Sequence, residues 1–358
     1  MIRVAAKMST IAVMTGPEAV ELSQALKGEF TLNVGTRKSK LALKQTEMVV
    51  EAATKFYPKY TFDVKAKDTA AGDIDKVTPF RDMPVKNIWT HELEKLLEEK
   101  QLDLLVHALK DVPTELPHNC EIGGVLEREN PRDVFVVKAG RSHCRLQDLP
   151  AGAVIGTSSI RRTAQLAQKY PHIVIKDMRG NIETRLRKLD ADDSGYDGLI
   201  LAAAGLIRIN LSDRISQYID SEDGGMLYAV GQGAIGIENR SDDKKVGEII
   251  KKINHLPTFY AVTAERRLLR TIEGGCSAPL GVQTTWVDEK HLRFQAIVVS
   301  IDGSQFAEVD TTEEVTSVDG AQRLGQTVAL EILNRGGDKI LAEIKAKKPT
   351  TITDLEEK

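Results

Sequence analysis

The sequence predicts an α/β protein: two similar α/β units followed by a smaller α+β unit. Three observations carry that prediction. Near-continuous apolar runs at residues 102–109 and 198–203 lie between stretches of helical periodicity, the pattern of strands buried on both faces, as in a parallel sheet. A strand running into Gly-Thr, a nearby hydroxyl and arginine occurs twice, at Gly35-Thr36-Arg37 with Ser39 and at Gly156-Thr157-Ser158-Ser159 before Arg161-Arg162. From Leu256 onward the pattern changes to one long helix, a cysteine-bearing turn and a hairpin, as expected of a separate small core.

In chain order, residues 31–36 read as a strand entering a tight turn. Ser39 is placed to cap the next helix, in which Leu41, Ala42, Met48, Val49, Ala52, Ala53 and Phe56 recur at helical spacing. Phe62-Asp63-Val64 is a short strand, residues 68–84 a long polar loop, and residues 88–100 a helix. The apolar run that follows stops at Lys110-Asp111-Val112-Pro113. Residues 133–137 open the second unit as a strand, 154–156 form another, and a helix spans 160–169. Residues 173–175 lead into Met178-Arg179-Gly180-Asn181 and a helix through Thr184 to Leu189; residues 198–203 lead into Gly205 to Arg208. The glycine-rich stretch 228–238 invites a dinucleotide reading, but that fingerprint needs a helix directly after it. A strand from Ala234 to Glu238 follows instead, so the stretch reads as a crossover between units. A helix is expected at 258–271, a hairpin around Asp302-Gly303 and a helix at 319–334. The expected division is a flexible extension at 1–30, a first domain at 31–130 with 231–253, a second at 131–230 and a third at 254–358.

The chain has 358 residues, enough for two or three domains, with 41% apolar and 28% charged residues and a net charge of −3. That balance argues against a general nucleic-acid binder, and 5% aromatics argue against base stacking. No apolar run approaches the ~18 residues of a membrane span. Cys120, Cys144 and Cys276 are odd in number and form no CxxC, which fits free thiols in the cytoplasm and no metal site.

Arg37, Arg161, Arg162, Arg179, Arg185 and Arg208 mostly follow an apolar strand at or near a helix start. In α/β units that edge receives ligands, helix N-termini there offer free N–H groups, and guanidinium grips a carboxylate at two points. Lys38, Ser39, Thr157, Ser158 and Ser159 add donors, and Lys110-Asp111 supplies a cation and the one evident carboxylate. Cys276 sits on a turn, Glu273-Gly274-Gly275-Cys276-Ser277-Ala278-Pro279, that can present a thiol to a cleft. With no P-loop and no paired metal-binding acids, a ligand bearing several carboxylates is the economical choice. Two other classes compete. One is a non-catalytic polycarboxylate-binding protein of the same two-domain build; the other is a cysteine acyl transferase, with only His107 or His255 as base.

Residues 34–39, 106–113, 156–162, Arg179-Gly180-Asn181 with Thr184-Arg185, and Gly274-Gly275-Cys276-Ser277 together resemble the hydroxymethylbilane synthase (porphobilinogen deaminase) family, over about residues 31–345. The resemblance implies two type II periplasmic-binding-protein-like α/β domains plus a small C-terminal α+β domain. It implies a transferase of haem and tetrapyrrole biosynthesis that joins four porphobilinogen units head to tail with loss of ammonia, then hydrolyses the product free. A dipyrromethane cofactor, held by a thioether to Cys276, would prime the chain. Asp111 matches the catalytic aspartate; Lys110, Ser39, Thr157, Ser158, Arg161, Arg162, Arg185 and Arg208 fall on the cofactor side. Arg37, Arg179, Gln45, Gln232, Lys86 and Trp89 fall on the substrate side. The implied partners are porphobilinogen and the growing polypyrrole, with no nucleic acid, no membrane and a monomeric state. Two departures stand out: Ala108 replaces a usual serine, and residues 84–89 lack a usual glycine and carry Trp89 in place of phenylalanine.

Overall fold

The computed structural model describes residues 30–68, 90–142, 144–272 and 278–346. Cys276, Lys86, Trp89 and, of the extension expected over residues 1–30, all but Phe30 lie outside the described residues.

The first sheet begins with β1 (Thr31–Arg37), followed by α1 (Lys40–Phe56), β2 (Thr61–Lys67), α2 (His91–Glu98), β3 (Leu104–Ala108) and β4 (Cys120–Val125). Ser39 does cap α1: its Oγ accepts from the Ala42 N–H at 3.2 Å. Gly35 is required by close approach, because a Cβ there would lie 2.5 Å from Leu105 Cδ2 and 2.6 Å from Leu102 Cδ1. The second sheet takes β5 (Asp133–Val137), β6 (Val154–Gly156), α3 (Ile160–Lys169), β7 (Val174–Lys176), α4 (Ile182–Asp190), β8 (Gly198–Ala202), α5 (Ala203–Arg208) and β9 (Gln217–Ile219). Gly156 stands where Gly35 does, 2.6 Å from Leu199 Cδ2 if it carried a Cβ, and Ser159 caps α3 as Ser39 caps α1. The chain then returns to the first sheet as β10 (Ile235–Arg240) and α6 (Lys244–Ile253).

The two sheets have the same build. Their orders are β2-β1-β3-β10-β4 and β7-β6-β8-β5-β9. In each, the first three strands run parallel and the fourth, antiparallel to its neighbours, directly follows the crossover from the other sheet. The expectation of parallel sheets is therefore corrected: both are mixed. The apolar runs still read as doubly buried strands because helices cover both faces: in β3, Leu104 and Val106 pack with α1 and α6 and Leu105 with α2, and in β8, Ile200 packs with α3 and Leu199 and Leu201 with α4. The glycine-rich stretch is the returning crossover. Gly233 has φ +84, and a side chain there would collide with the Glu129 carbonyl on the outgoing crossover. The helix expected over 88–100 is described only from His91, and it stops before Lys100, which has φ +59.

The third unit packs α7 (Leu256–Thr271), α8 (Val318–Ile332) and α9 (Asp338–Ala346) against the antiparallel sheet β11 (Leu280–Trp286), β12 (His291–Val299) and β13 (Phe306–Glu314). Its core centres on Phe294, Val298, Leu268 and Val328, all fully buried. Truncating a phenylalanine in such a core costs about 3–5 kcal/mol. Among the described residues no helix is long and apolar enough to cross a membrane.

Candidate active site

The parallel strands decide where the chemistry collects. Arg37 ends β1, and Lys110-Asp111 sit in a single 3₁₀ turn directly after β3. Thr157 to Ser159 follow β6, Arg179 follows β7 and Arg208 closes the short helix after β8. All lie at the carboxyl ends of parallel strands, where α/β sheets take ligands.

Lys110 comes from the first sheet, and its ammonium lies 3.4 Å from Gln232 Oε1 on the returning crossover. Gln232 in turn donates to the Pro131 carbonyl at 2.7 Å and to Asp133 Oδ1 at 2.8 Å. Asp133 opens β5 and is 1% exposed. It accepts from Arg161 Nη1 at 2.8 Å, and from Arg162 Nη2 at 2.7 Å and Nε at 3.2 Å. Arg161 also donates to the Leu227 carbonyl, and Arg162 to that of Ile200. The two arginines expected to face a ligand are thus largely committed to one carboxylate.

Charge in this network is unbalanced. Burial, with Arg162 and Arg161, lowers Lys110 to about 8 against the opposing pull of Asp111 and Asp133. Burial lowers Arg185 to about 10; Arg162 and Arg179 push the same way, and Asp177 and Asp111 oppose. Through Gln232, Lys110 of the first sheet is joined to Asp133 of the second, so side chains of the two sheets face one another across the cleft. Five cations, Lys110, Arg161, Arg162, Arg179 and Arg185, meet three carboxylates, Asp111, Asp133 and Asp177. Arg161 and Arg162 are buried and the other three half-buried, and cations in excess in such a place call for an anionic partner.

Other expected residues also make contacts within the protein. Ser39 is a helix cap. Ser158 donates to the Met178 carbonyl at 2.6 Å, and Thr157 Oγ1 accepts from the Ser159 N–H at 3.2 Å. Gln45 is buried along α1. Arg208 is buried, lowered to about 10 by that burial, and donates to the Gly233 carbonyl at 2.7 Å, so it braces the crossover. Arg185 Nε donates to the Gly180 carbonyl at 2.7 Å. Arg37 and Arg179 are half-buried at their strand ends. Neither histidine suits a cysteine nucleophile: His107 is buried against Glu238 at 2.9 Å, and His255 caps α7.

The third unit braces the aspartate. Arg266 of α7 donates to the carbonyls of Val112 and Pro113 at 2.9 and 2.6 Å, just beyond Asp111. Val262 of the same helix packs with Leu109 and Val112.

Residues 32–248 match the sequence family described as "Porphobilinogen deaminase, dipyromethane cofactor binding domain", and residues 259–334 match "Porphobilinogen deaminase, C-terminal domain". The chain belongs to the porphobilinogen deaminase family. It is 47% identical over 317 residues to porphobilinogen deaminase of Neurospora crassa, covering 87% of this chain and 93% of that protein. It is 44% identical over 316 residues to the Schizosaccharomyces pombe protein of the same name, covering 87% and 94%. It is 39% identical over 320 residues to that of Dictyostelium discoideum, covering 88% and 97%. A porphobilinogen deaminase is a transferase of tetrapyrrole biosynthesis, and the larger family match is the part that binds its dipyrromethane cofactor. The donor set fits that group. Its acetate and propionate side chains match the cation excess, and among the described residues Arg161 Nε and Arg208 Nε are buried without a hydrogen-bond partner.

Sequence reasoning missed Asp133, although a carboxylate opening a strand otherwise made of Val134, Phe135, Val136 and Val137 was a visible anomaly. It also missed Arg266 and Arg128, whose partners lie far away in the chain.

Proposed function

We propose that this chain joins four porphobilinogen molecules head to tail, releasing ammonia at each addition, and frees the product as hydroxymethylbilane by hydrolysis. The observation that carries the residue assignment is the cation-rich network of Lys110, Arg161, Arg162 and Arg185, drawn from two sheets, with Asp133 within it and Asp111 beside Lys110. When bound, the dipyrromethane supplies the free pyrrole carbon on which the chain is extended.

Asp111 is the catalytic residue in this reading. Its carboxylate accepts from pyrrole N–H groups and stabilises positive charge that develops as ammonia leaves. It is held in place by the 3₁₀ turn and by Arg266 behind that turn. Lys110, Arg161, Arg162, Arg185, Arg208, Ser39, Thr157 and Ser158 serve the cofactor side. Arg37, Arg179, Gln45, Gln232, Lys86 and Trp89 serve the incoming substrate. Guanidinium and ammonium groups hold acetate and propionate in place and so orient the ring being joined. Cys276 carries the cofactor through its sulfur.

The same reading divides the chain into domains at 31–130 with 231–253, 131–230 and 254–358, one for each sheet. It places a monomer in the cytoplasm, with porphobilinogen and the polypyrrole as partners and neither nucleic acid nor membrane. Supporting a reducing compartment, Cys120 and Cys144 are both free thiols. Intact mass tests the assignment. The purified protein should exceed its polypeptide mass by two linked pyrroles, and Cys276→Ser should lose the excess. A fully active protein of plain sequence mass would overturn the covalent primer.

A further inference from the structure

Four donor atoms converge on Asp133: Arg161 Nη1, Arg162 Nε, Arg162 Nη2 and Gln232 Nε2. Burial alone would favour its neutral acid, but Arg161 and Arg162 hold the carboxyl well below the usual range. Without that charge, two adjacent buried guanidinium groups would repel each other. The effect extends further. Because Gln232 turns its amide N–H groups to Asp133 and Pro131, its carbonyl oxygen is left facing Lys110. The reversed amide would aim N–H at an ammonium group and an oxygen at a carboxylate.

We propose that Asp133 is a positioning residue for the cationic wall of the cleft: its carboxylate fixes the Arg161 and Arg162 forks and, by orienting the Gln232 amide, gives Lys110 its acceptor. The inference rests on the reading of the cleft as a polypyrrole site. Lys110 belongs to the first sheet, Gln232 to the crossover, and Asp133, Arg161 and Arg162 to the second. The network therefore closes only when the two sheets hold one relative placement. The charged groups that act on Lys110 are Asp111, Arg162, Asp133 and Arg161, so losing Asp133 leaves it between two arginines with Asp111 alone opposing them.

The experiment uses the full-length protein and Asp133→Asn, which keeps the size and removes the charge. Lys110 is titrated by competitive acetylation with acetic anhydride across a pH series, read by peptide mass spectrometry, alongside steady-state kinetics and thermal melting. The expected result is a Lys110 midpoint lower by about one unit and kcat lower by about 10²-fold. Gln232→Met, which leaves Asp133 and both arginines in place, should lower the Lys110 midpoint in the same direction. The double variant should do no more than the larger single change. A carboxylate that merely supports the fold would lower the melting temperature and leave the Lys110 midpoint and kcat unchanged, and that outcome overturns the proposal. If Asp133→Asn does not fold, an unchanged midpoint in Gln232→Met overturns it. Wild-type protein that makes no hydroxymethylbilane while Lys110 still shifts in the variants supports the network and removes only the substrate reading.

Discussion

Arg128 and Glu265 meet in a two-point ion pair, Nη1 to Oε1 at 2.7 Å and Nη2 to Oε2 at 3.0 Å, with Glu265 wholly buried. The pair ties the segment after β4 to α7 of the third unit. Glu265 also accepts from the Gly231 N–H at 2.8 Å and from Thr284 Oγ1 at 2.7 Å, and Arg128 lies 5.0 Å from the Tyr228 ring centroid. The first sheet, the crossover and the third unit therefore share one carboxylate. Glu265→Ala leaves a buried guanidinium without its counter-charge and should cost about 3–5 kcal/mol of stability. Urea unfolding checks this. The double replacement Arg128→Met with Glu265→Leu should recover much of the loss, since it leaves neither charge stranded.

Asp111→Ala should keep the fold and lose turnover. The residue is half-buried in a turn whose packing rests on Leu109 and Val112, so its removal opens no large core cavity. A loss of a preorganised charge at the reacting centre is worth about 10²–10³-fold in kcat. Circular dichroism should match the parent while hydroxymethylbilane formation falls. Normal turnover would remove the catalytic assignment.

Lys110 gives the enzyme an alkaline limit. Burial first, then Arg162 and Arg161, lower it to about 8, so its charge fades as the pH rises through that value. Capture of carboxylates should weaken there, seen as a rising KM for porphobilinogen. Lys110→Arg stays charged and should remove that limb, whatever it does to the maximum rate. The stability effect of this group has the opposite sign. Its ordinary value is 10.5, so between about 8 and 10.5 the unfolded chain binds the extra proton, and the group's contribution to stability rises with pH over that window.

The shared build of the two sheets was legible because each Gly-Thr turn does the same two jobs. The glycine lets neighbouring strands approach, and the hydroxyl caps a helix; both are local demands that single residues announce. The edge where ligands collect followed from the same strands. The pairings were not legible. Whether an arginine meets a ligand or Asp133 depends on contacts 28 and 29 residues apart in sequence, and whether Arg208 reaches the cleft or the Gly233 carbonyl depends on one 25 residues away. Nor was it legible that Ser158 donates to the Met178 carbonyl, since that contact exists only once the turn is built. Likewise β4, β9 and β11 were not marked in advance: β4 carries two glycines and little periodicity, and β9 is three residues long.

Glu94 supplies a test remote from the cleft. It is 1% exposed. Burial raises its pKa from the ordinary 4.5; a hydrogen bond with Thr90 opposes the rise and Glu238 adds to it. A raised folded value means the folded state holds the proton longer. Its contribution to stability is therefore complete below 4.5 and is lost as the pH climbs through the raised value. Glu94→Gln should flatten that decline, checked by urea midpoints for parent and variant across a pH series.

The fourth strand of the first sheet, β10, is encoded more than a hundred residues after its neighbour β3, with the whole second sheet between them. On the ribosome, the middle of the chain can complete its sheet as a continuous stretch, while the earlier strands wait with β3 open on one side. Of the two five-stranded sheets, the one begun first is completed second, and β3 with its apolar run is the surface that needs protection during translation.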